Sequence, residues 1–299
     1  MTPSTASAQP APSTADRAWT PGWITAPQPA SAGFTPNWAE EGFDGHTLRQ
    51  VVRTTAGGGA VRIRLSNAYG DRPLEVRGAS VAPAAGGSAV HGGRARRAAF
   101  SGSGTVLVPV GGEAVSDPVP LPVAAFDRVA VTLHLGPETG PATFHAQGYA
   151  ASHRAAGDRL GDTDGSAFTE TTHSWYYLTG LDVHGPAPER GAVAAIGDSI
   201  TDGFGSVPDT DTRYPDALAE LLAERASRGR CSTPGSAATG CSTTPPGTAS
   251  GPPPGWSATC CAAPASARWW CSRASPTSAS PTGPASRPRS PPRRWTPAC

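Results

Sequence analysis

A serine in a setting that favours nucleophilic chemistry lies in the segment GDSITDG, residues 197–203. It follows the small apolar run at residues 192–196, which is typical of a buried parallel strand. Open α/β sheets place their sites at the carboxyl ends of such strands. Ser199 could attack an acyl carbon there, and its backbone N–H could point at the developing oxyanion. The same three residue types, Gly, Asp and Ser, also form ordinary turns, so the chemical interpretation depends on the rest of the chain.

The residues after this segment predict a helix. Pro215 suits the first turn of a helix, and Leu218, Leu221 and Leu222 would form one apolar face. Together with the run at residues 192–196, they predict the first βα unit of an α/β domain over residues 192–228, ending near Arg225.

The residues before this unit show a different sequence pattern. Short alternating runs separated by Gly, Pro and Asp turns predict strands at residues 61–65, 106–108, 129–135 and 175–178. A β-sandwich of jelly-roll type over residues 18–184 is the most economical interpretation. We expect residues 1–17 to form a flexible leader and residues 185–191 to form a linker.

Composition excludes several classes of partner. The net charge is +1 and there is no lysine, so no basic field predicts binding to nucleic acid. No apolar run is long enough to span a membrane. The first residues lack the basic and apolar regions of a signal peptide.

The composition changes sharply at Cys231. All six cysteines lie from this position onward, and Leu, Ile, Val, Met, Phe and Tyr are absent. Without these residues a segment cannot build an apolar core, so we expect residues 229–299 to form a disordered, low-complexity tail.

GDSITDG resembles block I of the SGNH/GDSL hydrolase family. Three upstream stretches, which begin HTLRQVVRTT, TFHAQGYAAS and SWYYLTGLDV, resemble the β-rich domain that precedes the hydrolase domain in actinobacterial members. The resemblance covers about residues 17–225. It implies a serine esterase with a flavodoxin-like α/β/α hydrolase domain, here truncated, that acts on small-molecule or carbohydrate esters outside the cell.

The resemblance also implies roles for single residues. Ser199 would be the nucleophile and its amide an oxyanion donor, whereas Asp198 would shape the loop. No metal or organic cofactor is implied.

The chain departs from the family after this point. Members carry a catalytic histidine near the end of the domain, with an aspartate three residues before it. Here all seven histidines precede Ser199, and no acidic residue follows Glu224. We therefore expect the chain as written to be nearly inactive. His145 is the alternative base if the β-rich domain contacts Ser199.

The genetic code provides a test of the tail. When the reading frame is shifted by one base, CSTPGSAATGC permits LNAGISGNRL, which resembles block II of the family. Residues 268–279 permit VVVLEGITDIG, which resembles the block III strand and loop except that Thr replaces the usual Asn. The sequence thus predicts a one-base frameshift between about residues 225 and 231.

The first interpretation is an esterase gene with a frameshift in the recorded sequence. Three alternatives to it stay open. The first alternative is an inactive remnant. In the second, the β-sandwich domain over residues 18–184, from here on called the β-domain, binds carbohydrate or another partner alone. The third is a disulfide or metal domain in the tail, which the irregular cysteine spacing and the absence of histidine disfavour. The sequence leaves the oligomeric state open.

Overall fold

The structure is a computed structural model that describes residues 17–187, 191–230 and 268–270. The strands are β1 Arg17–Ile24, β2 His46–Arg53, β3 Ala60–Ser66, β4 Leu74–Gly86, β5 Ala89–Val90, β6 Arg96–Ala98, β7 Val106–Val108, β8 Glu113–Val115, β9 Arg128–Leu135, β10 Phe144–His145, β11 Ser152–Ala156, β12 Glu170–Thr172, β13 Trp175–Tyr176, β14 Leu178–Pro186, β15 Val193–Ala195 and β16 Arg268–Trp270. The helices are α1 Ser199–Asp202 and α2 Tyr214–Arg230, and Gly92–Arg94 forms one 3-10 turn.

Two antiparallel sheets form the first part of the chain. The smaller has the strand order β1-β14-β3-β8, and the larger has the order β12-β11-β2-β9-β4-β5, with β6 and β7 also paired to β4. Strands β10 and β13 form a separate antiparallel pair. Side chains from both main sheets join a single buried cluster, an arrangement consistent with a β-sandwich.

Strand β3 shows how the sequence produces this packing. Val61, Ile63 and Leu65 are fully buried in the common core, and such burial stabilises a fold by about 1.5–3 kcal/mol per side chain. Between them, Arg62 and Arg64 point to the opposite face, where both contact a carboxylate of the neighbouring strand β14. The period of two in the sequence therefore corresponds directly to an apolar face and a charged face.

Three of the four predicted strands are confirmed. Residues 61–65 lie within β3, residues 106–108 are β7, and residues 129–135 lie within β9. The prediction of one strand at residues 175–178 is wrong. Tyr177 has a φ of 57° and separates β13 from β14, so that the chain passes here from the small β10–β13 pair to the four-stranded sheet.

The βα unit forms, but it is not buried as the sequence predicts. β15 runs parallel to β16, yet Val193 and Ile196 are 51% and 59% exposed. Parallel strands are buried only where a sheet is covered on both faces, and β16 is the one partner of β15 among the described strands. Leu221 and Leu222 of α2 are exposed as well.

Two elements of the structure extend past the predicted boundaries. β14 continues to Pro186, so the first residues of the expected linker belong to a sheet. Helix α2 continues to Arg230, beyond the predicted end of the βα unit. Residues 1–16, which carry the expected leader, lie outside the described residues, as do residues 231–267 and 271–299 of the expected tail.

The common core leads to a stability prediction with a matched control. Leu133 of β9 is fully buried, so Leu133→Ala is expected to lower the free energy of unfolding by about 2–5 kcal/mol. Leu107 of β7 is 64% exposed, and Leu107→Ala is expected to change it by less than about 0.5 kcal/mol. Urea unfolding followed by tryptophan fluorescence measures both values. Equal losses in the two variants would contradict the placement of the core.

Candidate functional site

Ser199 begins the short helix α1, directly after the loop that follows β15. Asp198 caps this helix, because its Oδ1 accepts a hydrogen bond from the Ile200 amide at 3.0 Å. The Asp198 carbonyl oxygen accepts from Thr201 N at 2.9 Å and so closes the first turn. A short polar side chain at this position satisfies an amide that otherwise has no intrahelical partner.

Two glycines in the segment are required by its geometry. A Cβ on Gly197 would lie 2.0 Å from Thr201 Oγ1, which packs directly over the turn. Gly203 ends α1 in the left-handed conformation, with a φ of 108°, and a Cβ there would meet the side chain of Arg213. Glycine alone adopts this conformation without strain. The glycines therefore account for the local shape of GDSITDG.

The Ser199 side chain is accessible to a ligand. Ser199 is exposed, and within residues 17–187, 191–230 and 268–270 its Oγ forms no hydrogen bond. Its amide lies in the first turn of α1, where backbone N–H groups have no carbonyl four residues earlier in the helix. An accessible hydroxyl beside a free amide can serve as a nucleophile with one oxyanion donor, provided that a base removes the proton.

One of the seven histidines reaches this segment. His145 of β10 lies with Nε2 3.3 Å from Asp202 Oδ1, and its Nδ1 is 2.9 Å from the carbonyl oxygen of Ala26. Both partners are acceptors, so a proton on either ring nitrogen is directed at Ala26 or at Asp202. The ring also packs against Trp175, with centroids 5.6 Å apart.

This arrangement differs from a nucleophile–base pair. A general base must lie within hydrogen-bond distance of the serine hydroxyl, about 2.6–3.2 Å. All seven histidines are among the described residues, and none forms a hydrogen bond with Ser199. The β-domain does contact the GDSITDG segment, as the alternative role of His145 requires, but His145 binds Asp202 instead of Ser199.

The chain between α1 and α2 attaches this segment to the β-domain. We call residues 203–213 the docking arm. Asp209 pairs with the β-domain backbone twice: its amide donates to the carbonyl of Tyr149 at 2.9 Å, and its Oδ1 accepts from Ala151 N at 2.6 Å. Burial, and then the nearby carboxylate of Asp202, raise the pKa of the Tyr149 phenol.

Asp211 is the ionic centre of the docking arm. Its Oδ2 is 2.6 Å from Arg128 and 3.9 Å from Arg53, both on strands of the larger sheet. Its Oδ1 is 3.7 Å from Arg213 of the arm itself. The Asp211 side chain is only 11% exposed, and a shielded carboxylate of this kind interacts more strongly than one on an open surface.

Arg213 completes the attachment. Its Nε and Nη2 bind both carboxylate oxygens of Asp216, at 2.6 and 3.1 Å, while Nη1 donates to the carbonyl of Gly148 at 2.7 Å. The guanidinium also lies over the ring of Trp175, 5.7 Å from its centroid. A planar group with five donors is suited to this combination of contacts.

The docking arm could not be predicted from the sequence. Its only sequence signal is the spacing of acids in the stretch PDTDTRYPD, with Asp209 and Asp211 in the arm and Asp216 just after it. Their arginine partners Arg53 and Arg128 lie more than 80 residues earlier, and no local pattern relates them.

The β-domain carries a separate open cleft of about 540 Å³. Its lining residues come from the segment before and at the start of β2, from the loops before β4 and after β9, and from β11; they are Glu41, Gly42, Phe43, Asp44, His46, Arg72, Glu138, Gly140 and Arg154. Its volume falls within the range of about 300–1,000 Å³ found for small-molecule sites.

Charges within the cleft are largely paired. Arg154 bonds to Glu41 and, at 2.6 Å, to Glu170. The hydrogen bond from Arg154 lowers the pKa of Glu170. Burial, and then the positive charge of Arg154, lower the pKa of His46, so its imidazole is neutral at pH 7. Because the Asp44 amide donates to Nδ1 at 3.0 Å, the ring proton of His46 lies on Nε2.

Comparisons with known proteins identify no family for this chain. No model of a known protein family matches the chain, and no curated protein is significantly similar to it. Among the described residues, no helix is long and apolar enough to cross a membrane, and no cluster of His, Cys, Asp and Glu suits a metal ion.

The docking arm leads to a proteolysis prediction. Because the chain has no lysine, trypsin cleaves it only after arginine. Asp211→Asn removes the negative charge that faces Arg53, Arg128 and Arg213, so the arm should open more often. Cleavage after Arg213 should then be about three- to tenfold faster, as measured by mass spectrometry of timed digests.

The matched control for this experiment is Asp71→Asn. Asp71 pairs with Arg72 on the surface, with both side chains about half exposed, so its loss should leave cleavage after Arg213 unchanged. Equal cleavage rates in Asp211→Asn and the unmodified chain would show that the ionic contacts do not hold the arm.

Proposed function

We propose that the chain carries the nucleophile segment of a serine hydrolase that acts on ester bonds, with Ser199 as the nucleophile. The proposal follows the resemblance to the SGNH/GDSL family and includes its architecture. Residues 192–230 would be the first βα unit of a flavodoxin-like α/β/α domain, and the β-domain would be a jelly roll. Small-molecule and carbohydrate esters are the proposed substrates.

The observation that carries this proposal is the position of Ser199. The side chain is exposed at the first position of α1, after a parallel strand, with Asp198 as the cap of the helix. In the proposed reaction, Ser199 Oγ attacks the ester carbonyl and its proton passes to a base. The Ser199 amide stabilises the oxyanion, the alcohol leaves, and water then hydrolyses the acyl-enzyme.

We further propose that this chain turns over esters very slowly. His145 is the one histidine whose ring contacts the segment, and both of its nitrogens face other acceptors. A serine without a base in hydrogen-bond reach stays protonated and is a weak nucleophile.

Hydrolysis of p-nitrophenyl acetate tests the activity of this chain. The unmodified chain and Ser199→Ala are expected to give rates within about twofold of each other, because the base that would activate Ser199 is missing. Ser206→Ala, which changes another serine near the end of α1, is the control for nonspecific effects. A rate that falls well below that of the unmodified chain in Ser199→Ala alone would overturn the proposed inactivity.

A DNA read across the codons for residues 220–235 and downstream tests the frameshift. If a single base restores a frame that continues LNAGISGNRL to an Asp-x-x-His, the restored protein should hydrolyse the same ester. Ser199→Ala in that protein should then lower kcat by roughly 10³- to 10⁶-fold. A read that confirms the present sequence would instead favour an inactive remnant.

The second candidate function is ligand binding by the β-domain alone. The observation that favours it is the cleft between the loops around β2, β4 and β9, which lies in a domain whose core is complete within residues 17–187. This function does not require Ser199.

A further inference from the structure

Gly42 and Gly140 line part of the β-domain cleft with bare backbone. A Cβ on Gly42 would lie 2.0 Å from the carbonyl oxygen of Gly140, so the two glycines hold their segments in direct contact. Both have positive φ, 66° and 67°. Phe43 belongs to the buried core at 2% exposure and offers no open aromatic face. A ligand in this cleft therefore meets bare backbone together with charged side chains and an imidazole.

The cationic groups of the cleft are already neutralised. Arg154 bonds to the carboxylates of Glu41 and Glu170, and Arg72 lies 3.1 Å from Asp71. An anionic ligand would have to displace one of these carboxylates. A metal ion is equally unsuited, because the described residues contain no cluster that would hold one.

The cleft keeps both hydrogen-bond acceptors and a hydrogen-bond donor that other residues do not use. The carboxylates of Asp44 and Glu138 have no hydrogen bond or ion pair to another described residue. The neutral ring of His46 offers its Nε2–H as a donor, since Nδ1 accepts from the Asp44 amide. Glu138 also has a positive φ of 46°, a conformation that non-glycine residues adopt rarely and that often occurs at ligand sites.

We propose that this cleft binds a neutral saccharide through its hydroxyl groups. A hydroxyl both donates and accepts, so it matches free carboxylates beside an imidazole N–H. The carboxylates of Asp44 and Glu138 would repel an acidic sugar, and an apolar ligand would leave both without partners. This inference deepens the second candidate function, names Asp44, Glu138 and His46 as the binding residues, and is independent of Ser199.

Calorimetric titration of the full chain with cellotetraose, xylotetraose and mannotetraose tests the proposal, and trigalacturonic acid serves as the charged counterpart. At least one neutral tetrasaccharide should bind, whereas the acidic oligosaccharide should bind at least about tenfold more weakly or not at all. In the double variant Asp44→Asn, Glu138→Gln, the affinity for the neutral ligand should fall by about tenfold or more.

Two controls keep the test specific. Glu113→Gln makes the same chemical change on β8 of the other sheet, where the side chain is exposed and outside the cleft, so the affinity should stay within about twofold. Ser199→Ala should bind like the unmodified chain. Thermal unfolding identifies any variant that fails to fold.

Three results would overturn the proposal. They are the absence of binding by all three neutral ligands at millimolar concentration, preferential binding of the acidic oligosaccharide, and an affinity that the folded double variant retains. If the double variant itself unfolds, Asp44→Asn alone, an exposed change without a hydrogen-bonded partner to lose, decides the question in the same titration. None of these results bears on ester hydrolysis, which the Ser199 experiments measure separately.

Discussion

Charged contacts attach the segment that carries Ser199 to the β-domain, and Asp211 with the arginines around it lies at their centre. The βα unit has little apolar contact of its own, since Val193, Ile196 and Ile200 are all more than half exposed. Polar contacts of the docking arm must therefore supply much of the attachment. They are effective because Asp211 is shielded from water, and an ion pair in such a place is screened less by salt than an exposed pair. Arg128 and Arg53 are in turn held by strands of the larger sheet.

The β-domain and the βα unit differ in how completely each buries its own apolar side chains. In the β-domain, residues from both main sheets close one core, and the buried carboxylate of Asp182 has two arginine partners. In the βα unit, apolar side chains on β15, α1 and α2 remain exposed. An exposed apolar face forgoes the main stabilising term of folding. The β-domain thus has the features of an independent folding unit, whereas the βα unit depends on its neighbour.

Local patterns in the sequence were sufficient for part of this structure. The alternation at residues 61–65 predicts β3 because every second side chain enters the core. Helix α1 was not predicted, although Asp198 and Gly203 are residue types that commonly begin and end a helix. The break at Tyr177 could not be predicted, because tyrosine rarely adopts a positive φ and does so here where the chain changes sheets. Burial of residues 192–196 was predicted wrongly because burial depends on the layers around a strand and not on the strand alone. The contacts of Asp211 with Arg53 and Arg128 are beyond local reasoning for the same reason.

His145 shows where the distinction between local and non-local information affects chemistry. The shape of GDSITDG is set within seven residues by a cap and two glycines, so it can persist whatever follows in the chain. The proton transfer that would make Ser199 reactive requires a base from elsewhere, at a separation defined to a few tenths of an ångström. In this fold the carbonyl of Ala26 fixes one nitrogen of His145, and Asp202 takes the other. The histidine through which the β-domain contacts the serine segment is thereby directed at Asp202 and not at the serine. Proximity of the two units does not by itself create a catalytic pair.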